Sequence, residues 1–209
     1  MMKALVPNAE FARLASDDQI ATAVAALTER GMAAEVVESG VEARNRVLDL
    51  LPEGAEVFTS MSRTLDTLGL SEAINDSTRY HPLRPRLKTL HRQAQEREWR
   101  KLQSSPEYVV GSVHAITEQG QVLIASASGS QLASYVFGAS HVIWVVGAQK
   151  IVRDLDEGLR RVREYSYPLE HERIQALGMP GSFVAKILLV EGERPGRISV
   201  ILVKEALGF

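Results

Sequence analysis

Two apolar, strand-forming runs within residues 114–154 constrain the fold of this chain more than any other feature. One, residues 122–126, ends in a small polar loop from Ser126 to Ser130. The other, residues 142–146, ends in Gly147 and is followed by Lys150. In an open α/β sheet, ligands bind where the strand ends release their loops. The same stretch carries a carboxylate, Glu118, next to a flexible Gly120.

The rest of the chain supplies the helices such a sheet needs. Residues 9–30 read as a first helix, with Phe11, Leu14, Ile20, Val24 and Leu27 at mostly three- to four-residue steps and one longer gap at Asp17-Asp18. A short strand over 33–37, a helix over 42–51, a strand over 56–60 and a helix over 64–75 come next, with Thr64 as the expected N-cap. A basic helix is expected over 87–102. Residues 108–115 read as a strand and 155–165 as a charged helix. Two β-rich runs, 185–191 and 197–204, are split by Gly192-Glu-Arg-Pro-Gly196, which suggests a C-terminal β-hairpin. Strands alternating with helices predict an α/β fold with a mostly parallel sheet and helices on both faces. With 209 residues and 45% hydrophobic composition, a single domain over 1–209 is expected.

Composition removes several classes of function. The sequence has no cysteine, which excludes disulfides, thiolate zinc sites and a cysteine nucleophile. No stretch approaches the roughly 18 apolar residues of a membrane span. The N-terminus lacks the apolar core of a signal peptide, so a cytoplasmic location is expected. Net charge is −2, which gives no whole-chain field toward nucleic acid or membrane. Residues 84–102 are locally basic, with seven Lys or Arg against two Glu. Trp99 is the lone aromatic there, so this is read as a solvated face or a cationic lip steering an anion, and no nucleic-acid partner is expected. His81, His91, His114, His141 and His171 show no metal-ligand spacing, and no metal is expected.

Candidate site residues fall in four places. Glu118 stands at a strand exit between Thr117 and Gly120, either as a general base or as part of a solvated turn. Ser60, Ser62 and Thr64 precede a helix whose free amides form an anion cradle or a plain N-cap. Ser126, Ser128, Gly129 and Ser130 form a second loop of the same kind ahead of a helix near 131–137. Lys150 reads as a surface lysine or as the partner of a substrate carboxylate or phosphate. His114, four residues before Glu118, reads as a hydrogen-bonded strand residue able to share a proton with it.

Residues 59–70 (Thr-Ser-Met-Ser-Arg-Thr-Leu-Asp-Thr-Leu-Gly-Leu), 115–123 (Ala-Ile-Thr-Glu-Gln-Gly-Gln-Val-Leu) and 141–157 (opening His-Val-Ile-Trp-Val-Val-Gly-Ala-Gln-Lys) resemble the LUD family, named for lactate utilisation. The resemblance covers about residues 5–175. It implies the Rossmann-like three-layer sandwich of the CoA-transferase and ribose-phosphate-isomerase superfold. It implies a subunit that binds a small anionic metabolite in a strand-end cleft and works with an iron–sulfur partner in oxidising lactate to pyruvate. Without cysteine this chain holds no thiolate-ligated cluster, so a redox centre would belong to that partner; a phosphate- or CoA-containing ligand remains open. Relatives in the superfold use a Glu in a similar Glu-x-Gly setting for acyl transfer, which makes a transferase nucleophile or an isomerase base the alternative for Glu118. A non-catalytic interaction subunit is the third reading. The expected edge hairpin is a surface through which a homodimer can close.

Overall fold

The computed structural model describes residues 5–209; residues 1–4, where the segment read for a signal peptide begins, lie outside it. In chain order the elements are α1 (Asp17–Glu29), β1 (Ala33–Val37), α2 (Gly40–Leu50), β2 (Glu56–Thr59), α3 (Arg63–Thr67), α4 (Leu70–Asn75), β3 (His81–Pro82), α5 (Leu83–Thr89) and α6 (Glu96–Ser104). Then come β4 (Tyr108–Gly111), β5 (Ala115–Thr117), β6 (Val122–Ser126), β7 (His141–Gly147), β8 (Ile151–Val152), α7 (Leu155–Arg161), α8 (Tyr167–Ala176), β9 (Lys186–Val190) and β10 (Ile198–Val203).

Six strands form a parallel sheet in the order β1-β10-β7-β4-β2-β3. Its central strands are buried on both faces, and their side chains alternate between two cores. Val142, Trp144 and Val146 of β7 pack with Ile20, Ala23 and Leu27 of α1, and Leu83 and Leu87 of α5 join them. Ile143 and Val145 face Ala43 and Val47 of α2, Leu65 of α3 and Ile74 of α4. Helices therefore cover both faces, as the α/β reading expects. A second sheet, β8-β5-β6-β9, shares the first of these cores through Ile116, Val122 and Ile124, and buries Ala115, Leu123 and Val152 against α7.

The C-terminal hairpin does not form. Lys186–Val190 pairs antiparallel with β6 in the second sheet, whereas Ile198–Val203 lies between β1 and β7 in the first, parallel to both. The turn-like residues between them pass from one sheet to the other, with the Glu193 amide donating to the Arg30 carbonyl at 2.9 Å. The reason lies in burial. Ile198-Ser-Val-Ile-Leu-Val is apolar without alternation, and such a strand gains most in the middle of a parallel sheet. With no hairpin, the dimer surface drawn from it goes too.

Other boundaries shift for local reasons. The first helix starts at Asp17, because Ser16 and Gln19 form a reciprocal capping box; Ala9–Ala12 is a separate 3₁₀ turn. Ser62, not Thr64, caps α3, and Gly69 at φ 62° separates α3 from α4. The basic helix is two helices, α5 and α6.

Candidate functional site

Three parallel strands end side by side: β2 at Thr59, β4 at Gly111 and β7 at Gly147. The residues after β4 and β7 build the site. Both strands leave the first sheet, cross three residues and enter the second as β5 and β8, which pair with each other. The crossings are Ser112-Val-His114 and Ala148-Gln-Lys150. A cavity of about 450 Å³ opens over this seam.

The cavity brings together most of the residues expected from the sequence. Ser60, Ser62 and Thr64 come from the loop after β2, and Ser126, Ser128 and Ser130 from the loop after β6. Lys150 joins them from the crossing after β7. Gly129 lies just behind the lining; its amide donates to Ser126 Oγ at 2.8 Å and shapes the loop. The segment after that loop is a π-helical turn, Ser134–Gly138, which sends Tyr135 inward. Tyr135 Oη donates to Ser60 Oγ at 3.0 Å, and burial pushes its phenol up to about 12. A Cβ on Gly111 would overlap both of those oxygens, so glycine is required for this approach.

Glu118 and Gly120 are not part of the lining. β5 and β6 run antiparallel, so His114 and Ser126 share one end of the pair and the turn at 118–120 forms the other. Four residues of strand put roughly 13 Å between the two ends. At its own end Glu118 accepts a hydrogen bond from Gln19 Nε2 of α1 at 2.8 Å. Gly120, at φ 78°, closes the turn onto the Thr117 carbonyl and sits against α1, where an added Cβ would lie 2.7 Å from Ala26. The turn packs against α1, so the cavity holds the Ser62 and Ser128 loops without Glu118.

Lys150 is 1% exposed, far from the surface lysine that its type suggests. Its Nζ donates to Thr64 Oγ1 and Ser112 Oγ, each at 3.0 Å. No carboxylate lies within ion-pair reach of it among the described residues. Burial, and then the nearby Arg161 guanidinium, hold the amine well below its usual range. His114 lines the same floor, half-buried. Its Nδ1 accepts the Ala125 amide at 3.1 Å, which leaves the ring proton on Nε2. Burial, followed by Lys150 and Arg161, lowers its basicity to about 3, so the ring is neutral.

Arg161, fully buried, supports this floor from behind. Its Nε donates to the Gln149 carbonyl at 3.2 Å, and its Nη1 donates to the His114 carbonyl and, at 3.1 Å, to Ser166 Oγ. It thereby ties the two crossings to α7. Burial lowers it only to about 10, so it stays charged at neutral pH. Its signal in the sequence was position: Leu155, Gly158, Leu159 and Val162 define the inner stripe of that helix, and Arg161 shares it.

Arg84, from α5, also lines the cavity. Its Nε donates to the Thr59 carbonyl at 2.7 Å and its guanidinium lies 4.9 Å from the Phe58 ring centre. It too has no carboxylate within ion-pair reach among the described residues, and burial lowers its pKa. Of the basic segment, Arg84 faces the cavity while Arg86, Lys88, Arg92, Arg97, Arg100 and Lys101 are exposed. Arg173, also in the lining, is instead held by both oxygens of Glu170. Among the described residues no group of three His, Cys, Asp or Glu converges as a metal site, and no helix is long and apolar enough to cross a membrane.

A family model described as the LUD domain matches residues 20–205. The chain belongs to the LUD domain family. The family, named for lactate utilisation, is the one its sequence motifs resemble. The LUD domain is also similar in structure to a DUF162 family protein from Deinococcus radiodurans, known from a crystal structure at 1.70 Å resolution. That likeness has a TM-score of 0.56 at 14% identity and covers 91% of this chain and 99% of the other; at this identity it shows the fold alone. No curated protein matches this chain.

Proposed function

We propose that this LUD domain binds a small organic anion, a carboxylate or phosphate, in the seam cavity. We further propose that it does so as the ligand-binding subunit of a lactate-oxidising assembly whose iron–sulfur centres lie on a partner. One observation carries the first part: Lys150 and Arg84 line one cavity, with Arg161 beneath it, and none has a carboxylate partner among the described residues. The guanidinium groups of Arg84 and Arg161 are costly to bury unless paired, and an incoming anion supplies the missing charge while the Lys150 amine offers N–H donors. Serine hydroxyls from the two flanking loops add donors around it. The second part rests on the family and on the absence of cysteine, since these 209 residues offer no thiolate for a cluster.

The test is a thermal-shift titration at fixed ionic strength with phosphate, L-lactate and pyruvate. A ligand that binds only the folded state raises its stability by RT ln(1 + [L]/Kd), about 2.7 kcal/mol at a hundredfold excess over Kd. At least one of these anions is expected to shift the wild type, and Lys150→Met or Arg84→Gln to weaken that shift at least tenfold in concentration. No shift by any of the three, or shifts unchanged in both variants, would remove the anion site.

A further inference from the structure

The amine of Lys150 is arranged for more than charge pairing. We infer that Lys150 forms a Schiff base with an anionic carbonyl compound, whose carboxylate or phosphate rests on Arg84. This deepens the anion-site reading and rests on it.

The hydrogen bonds around Nζ suit a neutral amine. Thr64 Oγ1 gives its proton to the Leu207 carbonyl at 3.1 Å, so toward Lys150 it only accepts. Ser112 Oγ, also at 3.0 Å, can accept from the amine or donate to its lone pair. Two contacts match the two N–H groups of –NH₂, and both come from hydroxyls; no carboxylate pairs with the amine among the described residues. The side chain lines the cavity, where burial and the Arg161 guanidinium oppose protonation. Desolvation beside another cation is the recognised route to a nucleophilic lysine.

The remaining groups define what such an amine would meet. His114 Nε2–H, on the same floor, is a donor that does not ionise at neutral pH; it can polarise a carbonyl oxygen without bringing a charge next to the amine. Arg84, in the same lining, is a guanidinium with no carboxylate within ion-pair reach among the described residues. A carbonyl carbon and an anionic group on one molecule match the pair. The cavity, at about 450 Å³, admits a 2-oxo acid and also a larger sugar phosphate.

The chemistry balances without an added oxidant or reductant. The Nζ lone pair adds to the carbonyl carbon, and the C=O π electrons move to oxygen, which takes up a proton while nitrogen loses one. The resulting carbinolamine expels its oxygen as water while the C=N bond forms. Amine and carbonyl give imine and water.

Borohydride trapping of the intact wild-type chain tests this. The protein is incubated with pyruvate in one arm and ribose 5-phosphate in the other, reduced, digested and mapped by mass spectrometry. At least one arm is expected to give a secondary-amine adduct on Lys150 with near-complete occupancy, while the exposed lysines Lys88, Lys101 and Lys186 stay largely unmodified. The arm that reacts identifies the ligand class. Arg84→Gln keeps the amine and is expected to slow trapping at least tenfold. Lys150→Arg, checked for folding by circular dichroism, is expected to abolish the adduct. No adduct in either arm, or one spread over the surface lysines, overturns the inference. If pyruvate or phosphate still raises the melting temperature in that case, the anion site stands and only the covalent step falls; if neither does, both fall.

Discussion

Acid should destabilise this protein through His114 before it destabilises an otherwise similar protein lacking that ring. The folded state holds the imidazole at about 3, against 6.5 for a free histidine, because burial and the Lys150 and Arg161 groups disfavour its charged form. The unfolded chain takes up the proton first. The ring's contribution is therefore complete above about pH 6.5 and is lost progressively as pH falls toward about 3. Between about pH 6.5 and pH 4 the separation is ~2.5 units, and at ~1.4 kcal/mol per unit the loss is roughly 3 kcal/mol. This is a ceiling, since the ring is only half-buried, yet it is a large part of an ordinary folding stability of about 5–15 kcal/mol. His114→Asn places an acceptor near the position of Nδ1 for the Ala125 amide and does not titrate. Urea denaturation of wild type and variant, at about pH 7 and about pH 4, reads the difference. The wild type is expected to lose up to roughly 3 kcal/mol more than the variant between the two conditions, after the carboxylates common to both cancel. Parallel losses would refute the assignment of a suppressed, neutral imidazole.

Two further substitutions test the geometry. Gly111→Ala is expected to cost about 1–3 kcal/mol by overpacking against Tyr135 and Ser60. Tyr135→Phe removes one of the two overlapping oxygens, so the double variant should be more stable than the sum of the two losses predicts; simple additivity in denaturant melts would contradict the contact. Glu118→Ala breaks the bond from Gln19 and should cost no more than about 1 kcal/mol, with anion-induced thermal shifts unchanged. A lost shift in that variant would return Glu118 to the binding machinery.

The sequence made four strands of the first sheet, β1, β2, β4 and β7, and the small-residue loops legible, because these rest on local signals. The apolar run of β7, the small residues after β2 and β6, and the resemblance to the LUD family all pointed to the same strand ends. The readings that went astray needed pairing information. Residues 108–115 contain nothing that announces a change of sheet after Gly111, and that change puts Ser112 and His114 at the site. Glu118 is four residues from His114 in sequence, and only the antiparallel pairing of β5 with β6 reveals that the strand carries it away from the cavity. Some signals were present and carried another meaning. Ser16-x-x-Gln19 is a capping box inside what periodicity read as one helix. The unalternating run at 198–203 is the mark of a central strand. Arg161 sat on an apolar stripe, and a charged residue there is buried with carbonyl partners.

The two crossings from sheet to sheet are three residues each, and the strands they lead to pair with a fixed one-residue stagger, Ile116 opposite Ile151. Lengthening either one by a single residue would turn the inward side chains of β5 or β8 outward and carry His114 or Lys150 away from its neighbours. Most loops absorb insertions at little cost. These two act as measured spacers, so a deletion or insertion scan through residues 112–114 and 148–150 should meet an abrupt wall where the long turn at 191–197 tolerates change.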